Sequence, residues 1–469
     1  MSDFMDCMEK SNASELLGRM DQAPSGRFHL KTIFVAGMGF FTDAYDLFIL
    51  GTALPIIEAV YHVSDSTTVG LIGASALFGA FLGAILFGQI ADRIGRKAVY
   101  GIELMIMIVF AVVSALSVNV TMLIASRFLL GIGVGGDYPI SSTLMSEYAN
   151  MKNRGRMVSM VFAMQGFGLL FGALVGLVSV HLMSTDIAWR FMLGFGAVPA
   201  LGVVYLRRKI SETPRYSLHV KGDVRETAKV VEEVTGKGGV VEETVQVTRP
   251  KYGALLKKYW IFLVGTAGSW FLFDMAFYGT SINNGLFLTS FGLAGGATLS
   301  AKIQNIALGN AVIALAFEVP GYWIAVGLID RVGRKALQWI GFLVMGFAYL
   351  VIALRLGYLQ TVLPLFLIVY GISFLFGNIG PNTTTFIFPT ELFPTQIRTT
   401  GHGIAAGAAK FGAGIFTFLI PVLTASFGAP SVVGLLALIS FAGTILTIIT
   451  LKETKGKSLE EASGQSSVS

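Results

Sequence analysis

A succession of apolar stretches runs through almost the whole chain, each near the roughly 20 residues that a helix needs to cross about 30 Å of hydrocarbon. About six fall before Arg207, near Lys31–Ile57, Thr67–Ile90, Ala98–Leu116, Thr121–Met145, Gly155–Leu182 and Trp189–Leu206. About six more follow Gly253, near Ala254–Phe291, Lys302–Ile329, Ala336–Leu354, Thr361–Phe388, Gly401–Phe427 and Ser431–Leu451. Spanning strands would be ~10-residue segments of alternating polarity, whereas these are continuous Leu, Ile, Phe, Gly and Ala runs. The sequence therefore predicts an all-α membrane protein of about twelve transmembrane helices. Composition agrees: 54% hydrophobic against 13% charged residues is too little polarity to cover a soluble protein of 469 residues. A mean hydropathy of +0.70 also excludes a disordered chain.

Arg207 to Lys258 is the one long polar stretch between helices, with Lys221, Asp223, Arg225, Glu226, Glu232, Glu233 and Lys237, and it reads as a solvated linker. The expected organisation is an N-terminal tail (1–30), a first helical bundle (31–206), a linker (207–253), a second bundle (254–451) and a C-terminal tail (452–469). Arg93, Arg96, Lys97, Lys152, Arg154, Arg156, Arg331, Arg334, Lys335 and Arg398 all fall in even-numbered connections, while the opposite loops hold only Arg190, Lys302 and Arg355. By the positive-inside rule this makes a multi-pass protein of the cell membrane with the linker and both termini in the cytoplasm. The bias also explains a pI near 9.2 without a nucleic-acid partner. The first 30 residues have no apolar core and are not a cleavable signal. Cys7, the single cysteine, excludes a disulfide framework, and the five histidines have no metal spacing, so neither metal nor cofactor is expected.

The halves repeat. Asp92-Arg-Ile-Gly-Arg-Lys97 after the second stretch recurs as Asp330-Arg-Val-Gly-Arg-Lys335 after the eighth, and Glu147 with Arg154 is echoed by Glu391 with Arg398, each pair seven apart. Two parallel repeats of six helices are a transporter arrangement, with a site between the halves near the bilayer midplane.

At these loops the chain resembles the major facilitator superfamily. Arg127-Phe-Leu-Leu-Gly-Ile-Gly-Val-Gly-Gly136, Glu212-Thr-Pro-Arg215, Pro389-Thr-Glu-Leu-Phe-Pro394 and Glu453-Thr-Lys-Gly-Lys-Ser-Leu-Glu460 are similar to both sugar porters and their phosphate-carrying relatives. Gly135-Gly-Asp-Tyr-Pro-Ile-Ser-Ser-Thr-Leu-Met-Ser-Glu147 separates the two, because it resembles the signature of the phosphate:proton symporters of fungi and plants. Phe40-Phe-Thr-Asp-Ala-Tyr-Asp-Leu-Phe48, Phe162-Ala-Met-Gln-Gly166, Trp270-Phe-Leu-Phe-Asp-Met-Ala-Phe-Tyr278 and Gly380-Pro-Asn-Thr-Thr-Thr-Phe386 agree with it. The resemblance implies the major facilitator fold, two pseudo-symmetric six-helix bundles, and a symporter that imports inorganic phosphate with protons.

Asp43 and Asp46 lie three apart in the first stretch, on one helix face, although a carboxylate at a helix centre costs about 2.5–3.5 kcal/mol to insert. A structural ion pair with another helix is the plain explanation; intramembrane acids by default mark ion or proton pathways. The resemblance puts proton coupling on Asp46 more than on Asp43. Glu103 is a similar candidate that could equally pair with a loop arginine near the cytoplasmic end. Helix packing explains the glycines before Asp137 and Tyr138 but not the acid and phenol themselves, so Asp137 reads as a proton carrier and Tyr138 as a substrate contact. Arg127 reads as structural or gating.

Trp270, Asp274 and Tyr278 recur at i, i+4 and i+8, one stripe with donors that an oxyanion could use. Asn378 and Asn382 repeat the spacing, and Gln165 and Lys410 add an amide and a cation. Singly, such amides are interhelical glue; their convergence across both halves makes Tyr138, Gln165, Trp270, Asp274, Tyr278, Asn382 and Lys410 the expected substrate set. Asp92, Arg93, Arg96, Glu147, Arg154, Asp330, Arg331, Arg334, Glu391 and Arg398 form an expected cytoplasmic gate. The rival readings are a sugar or organic-anion:proton symporter, which leaves so many acids unexplained, and a nutrient sensor on a transporter fold. An enzyme is the least favoured, for want of a nucleophile–base constellation or nucleotide loop.

Overall fold

The computed structural model describes residues 13–236, 252–293, 295–296 and 298–464. Cys7, the other residues before Ala13, and the Lys237 end of the central polar stretch lie outside these. The described residues contain no strand. Eleven of their helical runs are long and apolar enough to cross a membrane. These are α1 (Arg27–Val60), α2 (Ser66–Ile94), α3 (Arg96–Ala115), α4 (Val120–Tyr148), α5 (Arg154–Leu182), α6 (Thr185–Arg207), α7 (Trp260–Ile282), α8 (Leu299–Val332), α9 (Arg334–Thr361), α10 (Leu363–Leu392) and a final run ending at Thr450. Inside that run Gly428 has φ 78° and Pro430 follows, so the helical path breaks there into α11 (398–427) and α12 (429–450). The expected twelve spans are thus present. Their outward faces carry apolar side chains such as Leu86, Val178, Phe347, Leu438 and Ile449, as a lipid boundary requires. The seventh expected stretch, Ala254–Phe291, is interrupted at Asn283, whose amide donates to Gly279 O (2.9 Å) and Thr417 O (3.2 Å) and ends α7.

Small residues set how closely the helices approach. A Cβ placed on Gly79, Gly83, Gly131 or Gly135 would fall within 2.1 Å of a carbonyl oxygen of the facing helix, so α2 and α4 touch backbone to backbone. The first six helices meet the last six mainly along α2–α11 and α5–α8.

At the end of the bundle where both tails lie, the repeated loops do the same work twice. Gly95 and Gly333 take φ 109° and 105°, and a Cβ on either would collide with the Glu212 or Glu453 carboxylate respectively. Those carboxylates accept the next two backbone N–H groups, of Arg96 and Lys97 (3.3 and 3.2 Å) and of Arg334 and Lys335 (3.0 and 3.0 Å). Asp92 accepts the N–H groups of Thr399 (3.3 Å) and Thr400 (2.6 Å) in the first turn of α11, and Asp330 accepts that of Arg156 (2.7 Å) in the first turn of α5. Each loop aspartate therefore satisfies orphan donors at the N-terminus of a helix in the other set of six.

One expectation needs correction. The stretch beginning at Arg207 is not a single solvated linker: Arg207 is the last residue of α6 and fully buried, and Thr213, Arg215 and Ser217 are buried as well. The helix Val224–Thr235 packs Val224, Val230 and Val231 against the short helix Ala13–Gln22, whose Leu16, Leu17 and Met20 are also buried. Apolar residues at helical spacing inside a charged stretch make an amphipathic helix. Arg215 donates to Asp21 and to Glu460, both at 2.9 Å, and so holds both tails. Burial alone would raise the Glu460 carboxyl, but Arg215, Arg398 and a backbone N–H outweigh it and hold Glu460 below the usual carboxylate range. Burial lowers nearby His219 to about 4.

Candidate functional site: a buried polar cluster between the two helix sets

Near the middle of the bundle, α4, α5, α7, α8, α10 and α11 each contribute to one hydrogen-bonded cluster. Lys410 Nζ donates to Asp274 Oδ2 at 2.8 Å, and its ammonium lies 4.4 and 4.0 Å from the ring centroids of Tyr138 and Tyr278. The hydroxyls of Tyr138 and Tyr278 are 3.0 Å apart. Gln165 Nε2 donates to the Tyr138 hydroxyl (3.1 Å), and Gln165 Oε1 accepts from the Tyr322 hydroxyl (2.8 Å). Asn382 Nδ2 donates to the Tyr322 hydroxyl and to Asn378 Oδ1, both at 2.7 Å. Trp270, one turn before Asp274 on α7, stands 6.1 Å from the Tyr138 ring and edge-on to His402 at 5.4 Å. Every one of these residues is buried.

The backbone opens where it supplies this cluster. Residues Ala314–Glu318 of α8 and Asn378–Asn382 of α10 are π-turns, with Pro320 just after the first and Pro381 inside the second. Proline removes an N–H and widens the ladder, a common device at functional positions. Asn378 Nδ2 donates to Glu318 O at 3.4 Å, joining the two turns. Aromatic rings cover the cluster on the tail side, where Phe162 stacks on Phe386 at 4.3 Å and Phe40 meets Tyr138 at 5.1 Å. Toward the opposite face Phe48 stacks on Tyr278 at 5.0 Å.

The acids fall into two kinds. Arg207 binds Asp137 through both oxygens (2.8 and 2.7 Å), binds Glu103 at 2.6 Å, and lies over the Tyr100 ring at 4.4 Å. Asp137 also accepts from Ser141 at 2.5 Å, and Glu103 from the Gly101 N–H at 2.8 Å. Asp137 is therefore held by Arg207 and not by the Tyr138–Tyr278 cluster, and Glu103 has an arginine partner, the alternative expected equally with a proton role, although that arginine ends α6 and is not in a loop. By contrast, all four carboxylate oxygens of Asp43 and Asp46 are buried with no hydrogen-bond partner among the described residues. Arg127 donates to the main-chain oxygen of Asp46 at 2.6 Å, not to its carboxylate.

Of the expected substrate set, Tyr138, Gln165, Asp274, Tyr278, Asn382 and Lys410 share one cluster, with Trp270 on its edge. The expected gate residues lie at the tail end. Arg398 binds Glu147 at 2.7 Å, Arg96 binds Glu147 at 3.4 Å and Asp92 at 3.1 Å, Arg334 binds Glu391 at 2.9 Å and Asp330 at 2.8 Å, and Arg154 binds Asp21 at 3.4 Å. Arg93 and Arg331 are exposed there. Three buried residues in or beside these clusters escape sequence reasoning: Tyr322, Arg207 and Glu318. The signal for Glu318 was available, an acid inside an apolar run two positions before a proline; that for Arg207 was masked by the basic residues after it.

The fold and site define a polytopic transporter, and comparison bears this out. The family model described as "Sugar (and other) transporter" matches residues 32–465, and the chain belongs to that family. Curated relatives include "Inorganic phosphate transporter 1-11" of Oryza sativa subsp. japonica, 36% identical over 96% of this chain and 90% of the relative. "Probable inorganic phosphate transporter 1-6" of Arabidopsis thaliana is 36% identical over 98% of each. Among solved structures, the major facilitator superfamily proton:xylose symporter XylE bound to 6-bromo-6-deoxy-D-glucose aligns with a TM-score of 0.75 at 21% identity, covering 93% of this chain and 98% of that one. That likeness is one of fold, which is the major facilitator fold.

Proposed function

We propose that the protein is a proton-coupled symporter that imports inorganic phosphate by alternating access around the Tyr138–Asp274–Lys410 cluster. The observation that carries this reading is the composition of the cluster, which gathers hydroxyl and amide donors, one ammonium and one carboxylate at the seam of the two helix sets. Relatives that cover nearly the whole chain are named for inorganic phosphate. Dihydrogen phosphate offers both bare oxygens and hydroxyl donors. In the bound state Tyr138, Tyr278, Gln165, Trp270 and Asn382 donate to the former, Asp274 accepts from the latter, and Lys410 balances charge.

Coupling follows from the acids without bonded cations. Asp46 lies against Gly196 of α6, outside the cluster, and across the low-dielectric bundle its ionised form disfavours an anion in the site, so protonation and phosphate binding reinforce each other, and loss of the proton expels the anion. Asp43 stands next to it on the same helix face. Asp137 and Glu103, both bonded to Arg207, join the proton path when protonation of one leaves the guanidinium to the other. The two bundles, residues 31–206 and 254–451, rock against each other, and Asp92, Arg93, Arg96, Glu147 and Arg154 with Asp330, Arg331, Arg334, Glu391 and Arg398 latch the tail side. That side faces the cytoplasm of a cell membrane, as the placement of basic residues supports. Counterflow of labelled phosphate in proteoliposomes, challenged with arsenate, sulfate and glucose, tests the substrate. Arsenate should compete and glucose should not; the reverse result refutes the phosphate reading.

A further inference from the structure

Glu318 on α8 has no part in the scheme above. It is only 5% exposed, and its carboxylate makes no hydrogen bond or ion pair with any described residue. A charged group at this depth is ordinarily paired. It lines a cavity of about 30 Å3, the size of one or two water molecules, together with Thr52, Ser281, Asn284 and Asn310. The Ser281 hydroxyl is buried there with no hydrogen-bond partner among the described residues. Among the described residues lining this cavity none carries another charge: α1 brings Phe48 and Thr52, α5 brings Leu169 and Ala173, and Ser281 and Asn284 come from the end of α7 and just beyond it. The titratable neighbours are Tyr322, one turn further on α8, and Tyr370 of α10, whose hydroxyl donates to Asn284 Oδ1 at 2.9 Å.

Its position matters as much as its isolation. Asn284 lines this small cavity, and the next residue, Gly285, lines a larger one of about 400 Å3 that also holds Glu58 and Lys302 at the face opposite the tails. On the other side, Tyr322 is hydrogen-bonded into the central cluster. Glu318 therefore stands between the outer cavity and the proposed substrate site, at the end of a π-turn that loosens the helix around it. A carboxyl bonded to no cation and no donor among the described residues can gain or lose a proton without breaking a bond.

We propose that Glu318 is a proton-binding site on the route from the face opposite the tails to the central cluster. The proton passes from water in the small cavity to a Glu318 carboxylate oxygen, giving a neutral carboxyl, and returns to water when the carboxyl ionises. This rests on the proton-coupled reading and adds a station to it.

Infrared difference spectra of the purified full chain at two pH values, without substrate, test the site directly. The wild type should show a protonated-carboxyl C=O band on acidification that is absent in Glu318→Gln; identical spectra overturn the proposal. In proteoliposomes, the ratio of proton-driven phosphate uptake to phosphate counterflow should fall about tenfold or more in Glu318→Gln and recover in part in Glu318→Asp. Ser281→Val, which fills the cavity, should lower the same ratio with counterflow within about twofold of wild type, and it carries the transport test if Glu318→Gln does not fold. An unchanged ratio in the folded variants, or a sodium-dependent uptake lost in Glu318→Gln, overturns the proton assignment. Absence of phosphate counterflow in the wild type would instead sink the phosphate reading and leave the spectroscopic result standing.

Discussion

Replacing Glu147 by glutamine strips the tail-side seam of its most heavily shared charge. The carboxylate lies 2.7 Å from Arg398 Nη1 and 3.4 Å from Arg96 Nη2, with both partners fully buried. The two arginines lose unequally. Arg96 keeps Asp92 at 3.1 Å and Thr395 O at 2.9 Å, whereas Arg398 keeps the Phe393 carbonyl at 3.1 Å, a neutral amide oxygen in place of the carboxylate and the more distant Glu460, and already has an Nη2 without a hydrogen-bond partner. Removing the directly bonded counter-ion of a buried charge costs about 3–5 kcal/mol, and Glu460 nearby keeps the cost for Arg398 at the lower end. The penalty applies while the seam is shut, because opening hydrates the guanidinium. At about 1.4 kcal/mol per factor of ten, the lower figure shifts the balance toward the tail-side-open state by roughly 100-fold. A cysteine at Thr399, buried beside the seam, in a Cys7→Ser background reports it through its rate of modification by a membrane-impermeant maleimide applied from the tail side. Glu147→Gln should raise that rate by at least about tenfold, allowing for incomplete coupling of seam and reporter. A rate within twofold of the parent, in protein that still elutes as a single species, would refute the assignment of this pair as a latch.

Asp46→Asn should abolish uphill, proton-driven accumulation while phosphate exchange persists, since the amide mimics the neutral carboxyl but cannot cycle; accumulation at wild-type level counts against its coupling role. Asp274→Asn leaves the Lys410 ammonium without its carboxylate and exchanges the charged acceptor of a phosphate hydroxyl for a neutral amide oxygen, a loss of about 1–3 kcal/mol, so phosphate affinity and its advantage over sulfate should each drop by roughly tenfold in competition binding. A Cβ on Gly39 would fall 1.7 Å from Arg207 Nη2 and 2.2 Å from Asp137 Oδ2, so Gly39→Ala should break that pair and lower the melting temperature, with wild-type melting as the contrary result. His219 is held at about 4 against 6.5 unfolded, so the unfolded form binds more protons between those values. Docking of the linker and tails is fully supported above pH 6.5 and weakens as pH falls toward 4, by up to ~3 kcal/mol; hydrogen exchange in Val224–Thr235 and Leu459–Ser463 should speed up over that range in wild type and not in His219→Gln.

What the amino-acid sequence discloses here follows from what is local. Twelve apolar runs, the break at Gly428 and the duplicated Asp-Arg-x-Gly-Arg-Lys loops depend on neighbours in the chain, and all are readable. Stripe membership is local too, which is why Trp270, Asp274 and Tyr278 could be placed on one face. Which faces meet is not local. Tyr138 and Tyr278 are 140 positions apart, and whether their hydroxyls touch depends on the rotation of two helices fixed by glycine contacts elsewhere. Arg207 was hidden for a related reason: followed by Arg208 and Lys209, it reads as the start of a polar stretch, and only the docking of α6 beside α1 and α3 turns it inward to Glu103 and Asp137. Glu212 and Glu453 appeared as motif letters, whereas their shared task of receiving backbone N–H groups appears only in three dimensions.

Arg215 gives the two ends of the chain a common fate. With Asp21 on one side of its guanidinium and Glu460 on the other, the helix before α1 and the helix after α12 are clipped to one point beneath the first set of six helices. The second set is thus tethered at its far end to its partner, and any separation of the halves on this side must stretch or release the clip. Under the proposed alternating-access cycle the tails would serve as a mechanical register, so that a probe fused near either of them should sense the opening of a seam it does not touch.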